Sequence, residues 1–211
     1  MIYSNREQAA RLLAEKLAEY QGRNPLILAI PRGAVPMAKI VADALGGEFD
    51  VVLVRKLGAP GNPEFAIGAI DETGRATLGP YAAMAGADSG YIERIKAQEL
   101  ATIRKRRAQY SPLHPPIDPQ GRIVIVVDDG LATGSTMLAA LHALRSRAPQ
   151  KLVCAVPVAP PDTLEQVAAH ADEVVCLHAP ENFQAVGQFY ADFGQVEDEE
   201  VIALLSERKK P

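Results

Sequence analysis

The 211-residue chain has no tryptophan, two cysteines, four histidines and only eleven aromatic residues in all. Cys154 and Cys176 are too few for a secreted disulfide scaffold, and they lack metal-ligand spacing. Glycine and proline number 16 each, well short of the roughly 25–30% that marks a low-complexity chain. Long apolar runs are also missing. The strongest, Ile123–Val127, falls far below the roughly 18–20 residues that span a bilayer. The N-terminus has no charged stretch leading into an apolar run, which predicts no signal peptide. Positive charge is not in excess, with 22 Lys and Arg against 26 Asp and Glu for a net charge of −4. That balance argues against a general nucleic-acid binder. These absences predict a soluble cytoplasmic chain with no membrane partner. Its length, against roughly 150 residues per domain, fits one domain over 1–211 that needs no disulfide staples.

Ser4-Asn5-Arg6-Glu7 reads as a capping box, and Leu12, Leu13, Leu17 and Tyr20 follow at helical spacing. Leu26–Ile30 is a short apolar run that stops at Pro31-Arg32-Gly33. A helix over 35–45 comes next, then a second apolar run, Phe49–Val54. Residues 57–88, rich in glycine, read as a flexible loop or hairpin excursion with β-like pieces at Phe65–Ile70 and Arg75–Leu78. Such excursions are usually functional. A long charged helix runs from Ser89 to Tyr110 and is closed by Ser111-Pro112. After a proline-rich connector, the strand Ile123–Val127 leads into a helix over Thr136–Ser146. Two further strands, Lys151–Val158 and Glu173–Leu177, flank a helix over Thr163–His170. Residues 180–211 read as a small hood and helical tail, with helical stretches near Phe183–Phe193 and over Glu199–Lys209. Apolar strands alternating with helices predict an α/β fold: a doubly wound, mainly parallel sheet flanked by helices. In such a sheet a ligand sits beyond the carboxyl ends of the strands, where strand order reverses.

Three strand ends carry unusual chemistry. The first is Asp128-Asp129-Gly130-Leu131-Ala132-Thr133-Gly134-Ser135-Thr136. A hydroxyl-rich loop opening a helix binds phosphate through free backbone N–H groups. GxxxxGK[ST] is absent, so this is no Walker A loop. An aspartate pair beside a phosphate repels it and must face something else, a polyol such as ribose or a magnesium ion.

This string resembles the type I phosphoribosyltransferases, whose signature for phosphoribosyl pyrophosphate (PRPP) is a strand, an acidic pair and a Thr-Gly-x-Thr loop. The chain looks closest to bacterial members of that family whose acceptor is unassigned. The resemblance implies that Asp128 and Asp129 hold the ribose hydroxyls and that residues 130–136 cradle the 5′-phosphate. It implies Mg2+ as cofactor, carried by PRPP with Asp128 and Asp129 as candidate contacts and no direct protein site otherwise. Some purine-using members carry a carboxylate at the fifth loop position. Ala132 stands there, so a loop-borne general base is absent.

The second strand end is Pro31-Arg32-Gly33. Arg32 brings a planar cation with a fork of donors, and Gly33 lets backbone N–H groups turn toward an anion. In the family this is the pyrophosphate loop, often with a cis peptide. The third is Arg55-Lys56, similar to a pair that meets the diphosphate in adenine-type members. Lys56 is the first choice there and Arg55 the second. Arg32, Lys56, Asp128 and Asp129 are therefore the expected catalytic set.

Among weaker signals, Glu64, Asp71 and Glu72 read as solvated loop charges, with metal or nucleophile contact as the alternative. Arg104–Arg107 reads as a solvated helix face, with a diphosphate or partner contact as the alternative, and the two cysteines read as core. His114, His142, His170 and His178 form no ligand spacing, although His178 stands at a strand end. Phe183, Phe189, Tyr190 and Phe193 pack a helix or stack a flat base. The expected activity is transfer of 5-phosphoribosyl from PRPP to a small, nucleobase-like acceptor, with the 57–88 excursion closing as a lid and a homodimer allowed. The alternative is a PRPP-binding regulator, or an inactive protein of the same fold.

Overall fold

The computed structural model describes residues 2–79, 82–110, 112 and 115–207. Ser111, His114 and the Lys209 end of the last expected helix lie outside the described residues, as does the Glu64 side chain. The strands are β1 (Leu26–Ala29), β2 (Glu48–Val51), β3 (Val54–Ala59), β4 (Asn62–Asp71), β5 (Ala76–Leu78), β6 (Ile123–Val127), β7 (Lys151–Val158) and β8 (Glu173–His178). The helices are α1 (Arg6–Lys16), α2 (Ala34–Leu45), α3 (Ser89–Tyr110), α4 (Ser135–Arg145), α5 (Pro161–Ala168) and α6 (Asp198–Ser206).

Five strands form a parallel sheet in the order β2-β1-β6-β7-β8. Side-chain alternation divides its two faces. Ile27, Ala29, Ile125 and Val127 pack toward α1 and α2, while Leu26, Leu28, Val124 and Val126 pack toward α4 and α5. Both faces are dry, which is why the strands read as unbroken apolar runs. From β1 the chain winds through α2 to one side; from β6 it winds through α4 and α5 to the other. The reversal falls between β1 and β6, so the expected crevice lies at their carboxyl ends.

One boundary differs from the sequence reading. Phe49–Val54 is not one strand. The chain leaves the parallel sheet after Val51, and Val54 pairs with Asp71 in a separate antiparallel sheet of order β3-β4-β5. Val52 and Leu53, between the two, are buried. Hydropathy reports burial and not hydrogen-bond partners, so it runs straight through the break. Arg55 and Lys56 thus stand on the first strand of the hairpin sheet, not at the end of a core strand.

That hairpin sheet is tied to α3 at both ends of β3. Tyr91 donates its hydroxyl to the Gly58 carbonyl at 2.8 Å, and Arg55 pairs with Glu99 at 2.6 Å. The Arg104–Arg107 run is not a uniformly solvated face. Arg107 turns inward, meeting both carboxylate oxygens of Glu72 at 2.7 and 2.8 Å and Asp50 at 2.9 Å. It also donates to the Val51 carbonyl at 3.0 Å. Asp50, only 1% exposed, accepts further from the Val51 and Ile117 amides. Burial pushes the Glu72 carboxyl up and Arg107 opposes that shift. Asp71 is not solvated either. It organises the β4–β5 turn by accepting from Thr73 and Arg75.

His142 and His170, far apart in sequence, meet at Nε2···Nδ1 3.0 Å with their rings edge to face. Desolvation and His170 lower the His142 pKa from its ordinary 6.5. A base whose folded pKa is depressed contributes stability above its unfolded pKa and loses it as pH falls below that value. Stability should therefore decline from pH 6.5 downward, and His142→Asn should flatten that part of a pH series of urea titrations.

Replacing Arg107 by Met removes the guanidinium that the buried Asp50 and Glu72 carboxylates share. The expected loss is about 3–5 kcal/mol, read as a lower urea midpoint, with much of it recovered in the Arg107→Met, Asp50→Asn double variant.

Candidate active site

The loop after β6 is fixed from both sides. Leu131 N–H donates to the Val158 carbonyl at 2.9 Å, and Thr163 donates its hydroxyl to the Ala132 carbonyl at 2.8 Å. Gly134 takes a left-handed conformation at φ +70°, and a Cβ there would come within 2.8 Å of Thr163 Cγ2. The turn lets α4 start at Ser135 with the Thr133, Ser135 and Thr136 side chains exposed. First-turn N–H groups have no intrahelical acceptor and carry the positive end of the helix dipole. Together they border a depression of about 160 Å³ lined by Asp128, Gly130, Thr133, Gly134, Ser135 and Thr136, among others. Such a loop has the chemistry to hold an anion.

The tandem aspartates straddle the tip of β6. Continuing the strand's alternation, Asp128 lies on the α4 side and lines the depression, while Asp129 lies on the α1 side. Asp128 accepts from the Asp129 amide at 2.9 Å. Asp129 Oδ2 accepts from Arg6 Nε at 2.8 Å. Burial pushes both carboxyls above the usual range, and the charge of Asp129 pushes Asp128 further. Arg6 opposes the rise at Asp129. Tyr190 donates its hydroxyl to the Asp129 carbonyl at 2.6 Å, and burial drives that phenol far above its usual titration range.

The β1–α2 loop lies directly against this pair. Its Pro31–Arg32 peptide is cis. A Cβ on Gly33 would sit 2.1 Å from Asp129 Oδ2, so only glycine admits this approach. Pro31 lines a second cavity of about 320 Å³ together with Arg55, Lys56, Arg106, Ser135 and Thr136. Ser135 and Thr136 border both hollows.

Arg32 is not among the residues lining either hollow. Its Nη1 stands 3.6 Å from Glu197 and 3.8 Å from Asp198, at the start of α6. The structure thus places Pro31, Arg55 and Lys56 around one hollow and Asp128 with the whole 130–136 loop around another, with Ser135 and Thr136 bordering both. It holds Arg32 and Asp129 on the side of the tail.

Arg6 escaped the sequence reading, which gives a site contact by Arg106 only as the second choice for the basic run. Arg106 stands in a basic run that reads as solvated, yet Thr102, Ile103 and Arg106, at helical spacing, line the cavity. Arg6 did leave a signal. A cation in the first turn of a helix opposes the helix dipole and calls for a partner.

An α/β protein with a loop suited to an anion at the switch point of a parallel sheet is the class these features define. The phosphoribosyl transferase domain model matches residues 1–193, and the chain belongs to that family. Two curated proteins of Mycobacterium tuberculosis, from strains CDC 1551 and H37Rv, are 40% identical over 205 residues and carry the provisional name phosphoribosyl transferase. The matches cover 97% of this chain and 46% of each relative, so the chain spans about half their length. The crystal structure of TT1426 from Thermus thermophilus is similar over the whole of both chains, with 48% identity and a TM-score of 0.93. Among the described residues, no helix is long and apolar enough to cross a membrane.

Gly33→Ala forces a Cβ into the Asp129 carboxylate. Overpacking of this kind costs about 1–3 kcal/mol, so the expected outcome is a lower thermal midpoint with the parallel sheet retained by circular dichroism.

Proposed function

We propose that this chain transfers 5-phosphoribosyl from PRPP to a small, nucleobase-like acceptor and releases pyrophosphate. The observation that carries the reading is the shared border at Ser135 and Thr136. These two residues border both the loop depression that Asp128 lines and a cavity edged by Arg55, Lys56 and Arg106. A sugar with a phosphate at one end, vicinal hydroxyls and a diphosphate at the other matches that sequence of surfaces.

In this reading the 130–136 loop and the first turn of α4 hold the 5′-phosphate. Asp128 and Asp129 accept from the ribose hydroxyls, one from each side of the strand tip. Pro31-Arg32-Gly33 and Arg55-Lys56 meet the diphosphate, and Arg32 exchanges Glu197 and Asp198 for it. The C1–O bond breaks with its electron pair leaving on pyrophosphate. The acceptor's lone pair forms the new bond to C1, and the proton it displaces goes to solvent, since Ala132 provides no base in the loop. Catalysis is then placement of the two reactants and stabilisation of the leaving charge.

Magnesium fits this site as a ligand-borne ion. Among the described residues no group of three or more His, Cys, Asp or Glu side chains could hold a metal. Mg2+ is commonly held by one or two carboxylates together with substrate phosphates, and Asp128 with the second oxygen of Asp129 offers such a set. The ion would neutralise diphosphate charge. The 57–88 excursion acts as a lid, excluding water from the sugar cation.

The inward turn of Arg107 weakens the nucleic-acid-binding regulator reading, because it removes one of four cations from the basic run.

Release of pyrophosphate from PRPP, screened over nucleobases and related acceptors, tests the activity; a PRPP-dependent signal with one acceptor class is expected, and none with any acceptor overturns it. The double variant Asp128→Asn, Asp129→Asn should lose PRPP binding in calorimetry while keeping its fold. Lys56→Ala should lower kcat more than it raises KM, by roughly 10–100-fold if the lysine meets charge that develops as the diphosphate leaves. Equal changes would make Lys56 an anchor only.

A further inference from the structure

We propose that Arg6 is a positioning residue for the sugar site: it fixes Asp129 through one carboxylate oxygen, leaves the other for a ribose hydroxyl, and ties that arrangement to the tail over residues 190–194. The inference rests on the PRPP reading above.

Arg6 opens α1, beside Glu7, in the turn where the helix dipole favours anions. Its side chain is only 14% exposed, so this is not a cation left at a surface. Nε donates to Asp129 Oδ2 at 2.8 Å and Nη1 donates to the Gly194 carbonyl at 2.6 Å. The flat face of the guanidinium lies 3.9 Å from the centre of the Phe193 ring. Phe193 stacks with Tyr190 at 4.9 Å, and Tyr190 holds the Asp129 carbonyl. The same short tail therefore grips Asp129 through its backbone and, by way of Arg6, through its side chain.

Gly33 completes the enclosure. A Cβ there would fall 2.1 Å from Asp129 Oδ2 and 3.2 Å from Arg6 Nε. With Oδ2 enclosed by Arg6 and the β1–α2 loop, Oδ1 is the oxygen that these contacts leave for a hydroxyl in the proposed arrangement. A carboxylate locked in this way meets a hydroxyl without first losing rotamer freedom, which is what preorganisation of a binding group means. The 5′-phosphate cradle is held independently, by Val158 and Thr163. Loss of Arg6 should accordingly impair hydroxyl recognition and spare phosphate recognition.

The test is calorimetry on the full chain and its Arg6→Met, Arg6→Lys and Phe193→Ala variants. The probes are PRPP, ribose 5-phosphate and its 2-deoxy and 3-deoxy analogues, well below each melting temperature. A hydrogen bond to a charged group is worth about 1.5–3 kcal/mol, roughly 10–150-fold. The parent chain should prefer ribose 5-phosphate to one deoxy analogue by about tenfold or more. Arg6→Met should erase that preference and weaken PRPP by a similar factor, Arg6→Lys should restore part of it, and Phe193→Ala should lower it less. A merely structural Arg6 would lower the melting temperature and leave the preference unchanged, which overturns the proposal. If Arg6→Met does not fold, an unchanged preference in Phe193→Ala overturns it. Failure of the parent chain to bind either PRPP or ribose 5-phosphate removes the underlying reading as well, a result distinct from normal binding with unaltered preference in the variants.

Discussion

The pairing of β1 with β6 is the constraint on which the rest depends. Their register sets Ala29 beside Val127, and the Ile30 amide still donates to the Val127 carbonyl at 3.0 Å as both strands end. Two loops that are 97 residues apart in the chain, beginning at Pro31 and Asp128, therefore leave the sheet side by side. Nothing but glycine at position 33 fits between them. Because α2 covers one face and α4 the other, the two loops diverge and leave a hollow where strand order reverses. The 130–136 loop, the acidic pair and the β1–α2 loop are then neighbours by topology, before any side chain is considered.

Charge is organised in two tiers within this frame. Arg107 is buried with Asp50 and Glu72, in a geometry that gives each of its three nitrogens a carboxylate acceptor. Removing either partner there leaves a charge without water, so this group works as a fixed joint between α3, β2 and the end of β4. The Arg32 contacts with Glu197 and Asp198, and the Arg55 pair with Glu99, are far more open on the arginine side. Pairs in contact with solvent contribute about 0–1 kcal/mol, so an incoming polyanion can replace the carboxylates at little cost. A chain of net charge −4 can in this way keep cations ready for a multiply charged ligand without a broad basic surface. Arg6 belongs between the tiers, enclosed like Arg107 yet touching the site.

The parallel sheet was legible in the sequence because strands dry on both faces leave unbroken apolar runs, and the loop at 128–136 because its residue types have few other uses in combination. The Ser89–Tyr110 helix and the Lys151–Val158 strand stand at the expected bounds. The cap of α1 does not: Asn5, not Ser4, accepts from the helix, and its partner is Gln8. The stretch expected as helical near Phe183–Phe193 contains only a four-residue 3-10 turn, Val186–Phe189. Its aromatic residues are spaced for contacts with the rest of the chain, not for one helical stripe. What the sequence could not reveal was long-range charge pairing. Asp50 with Arg107 and Arg6 with Asp129 join residues 57 and 123 positions apart, and no local pattern encodes such a pair.

The tail bears on the acceptor. Phe183 stacks on Phe189, His178 meets Phe189 edge to face, and Tyr190 stacks on Phe193, so most of the aromatic surface expected to hold a flat base is already spent on internal contacts. Phe189 and Tyr190 are buried; Phe193 is 37% exposed and carries the Arg6 guanidinium. A flat acceptor approaching the sugar from this side would meet the Arg6–Phe193 pair first. Recognition of the acceptor and recognition of the sugar would share one guanidinium, and the segment that meets the acceptor would be the one that keeps Asp129 in place.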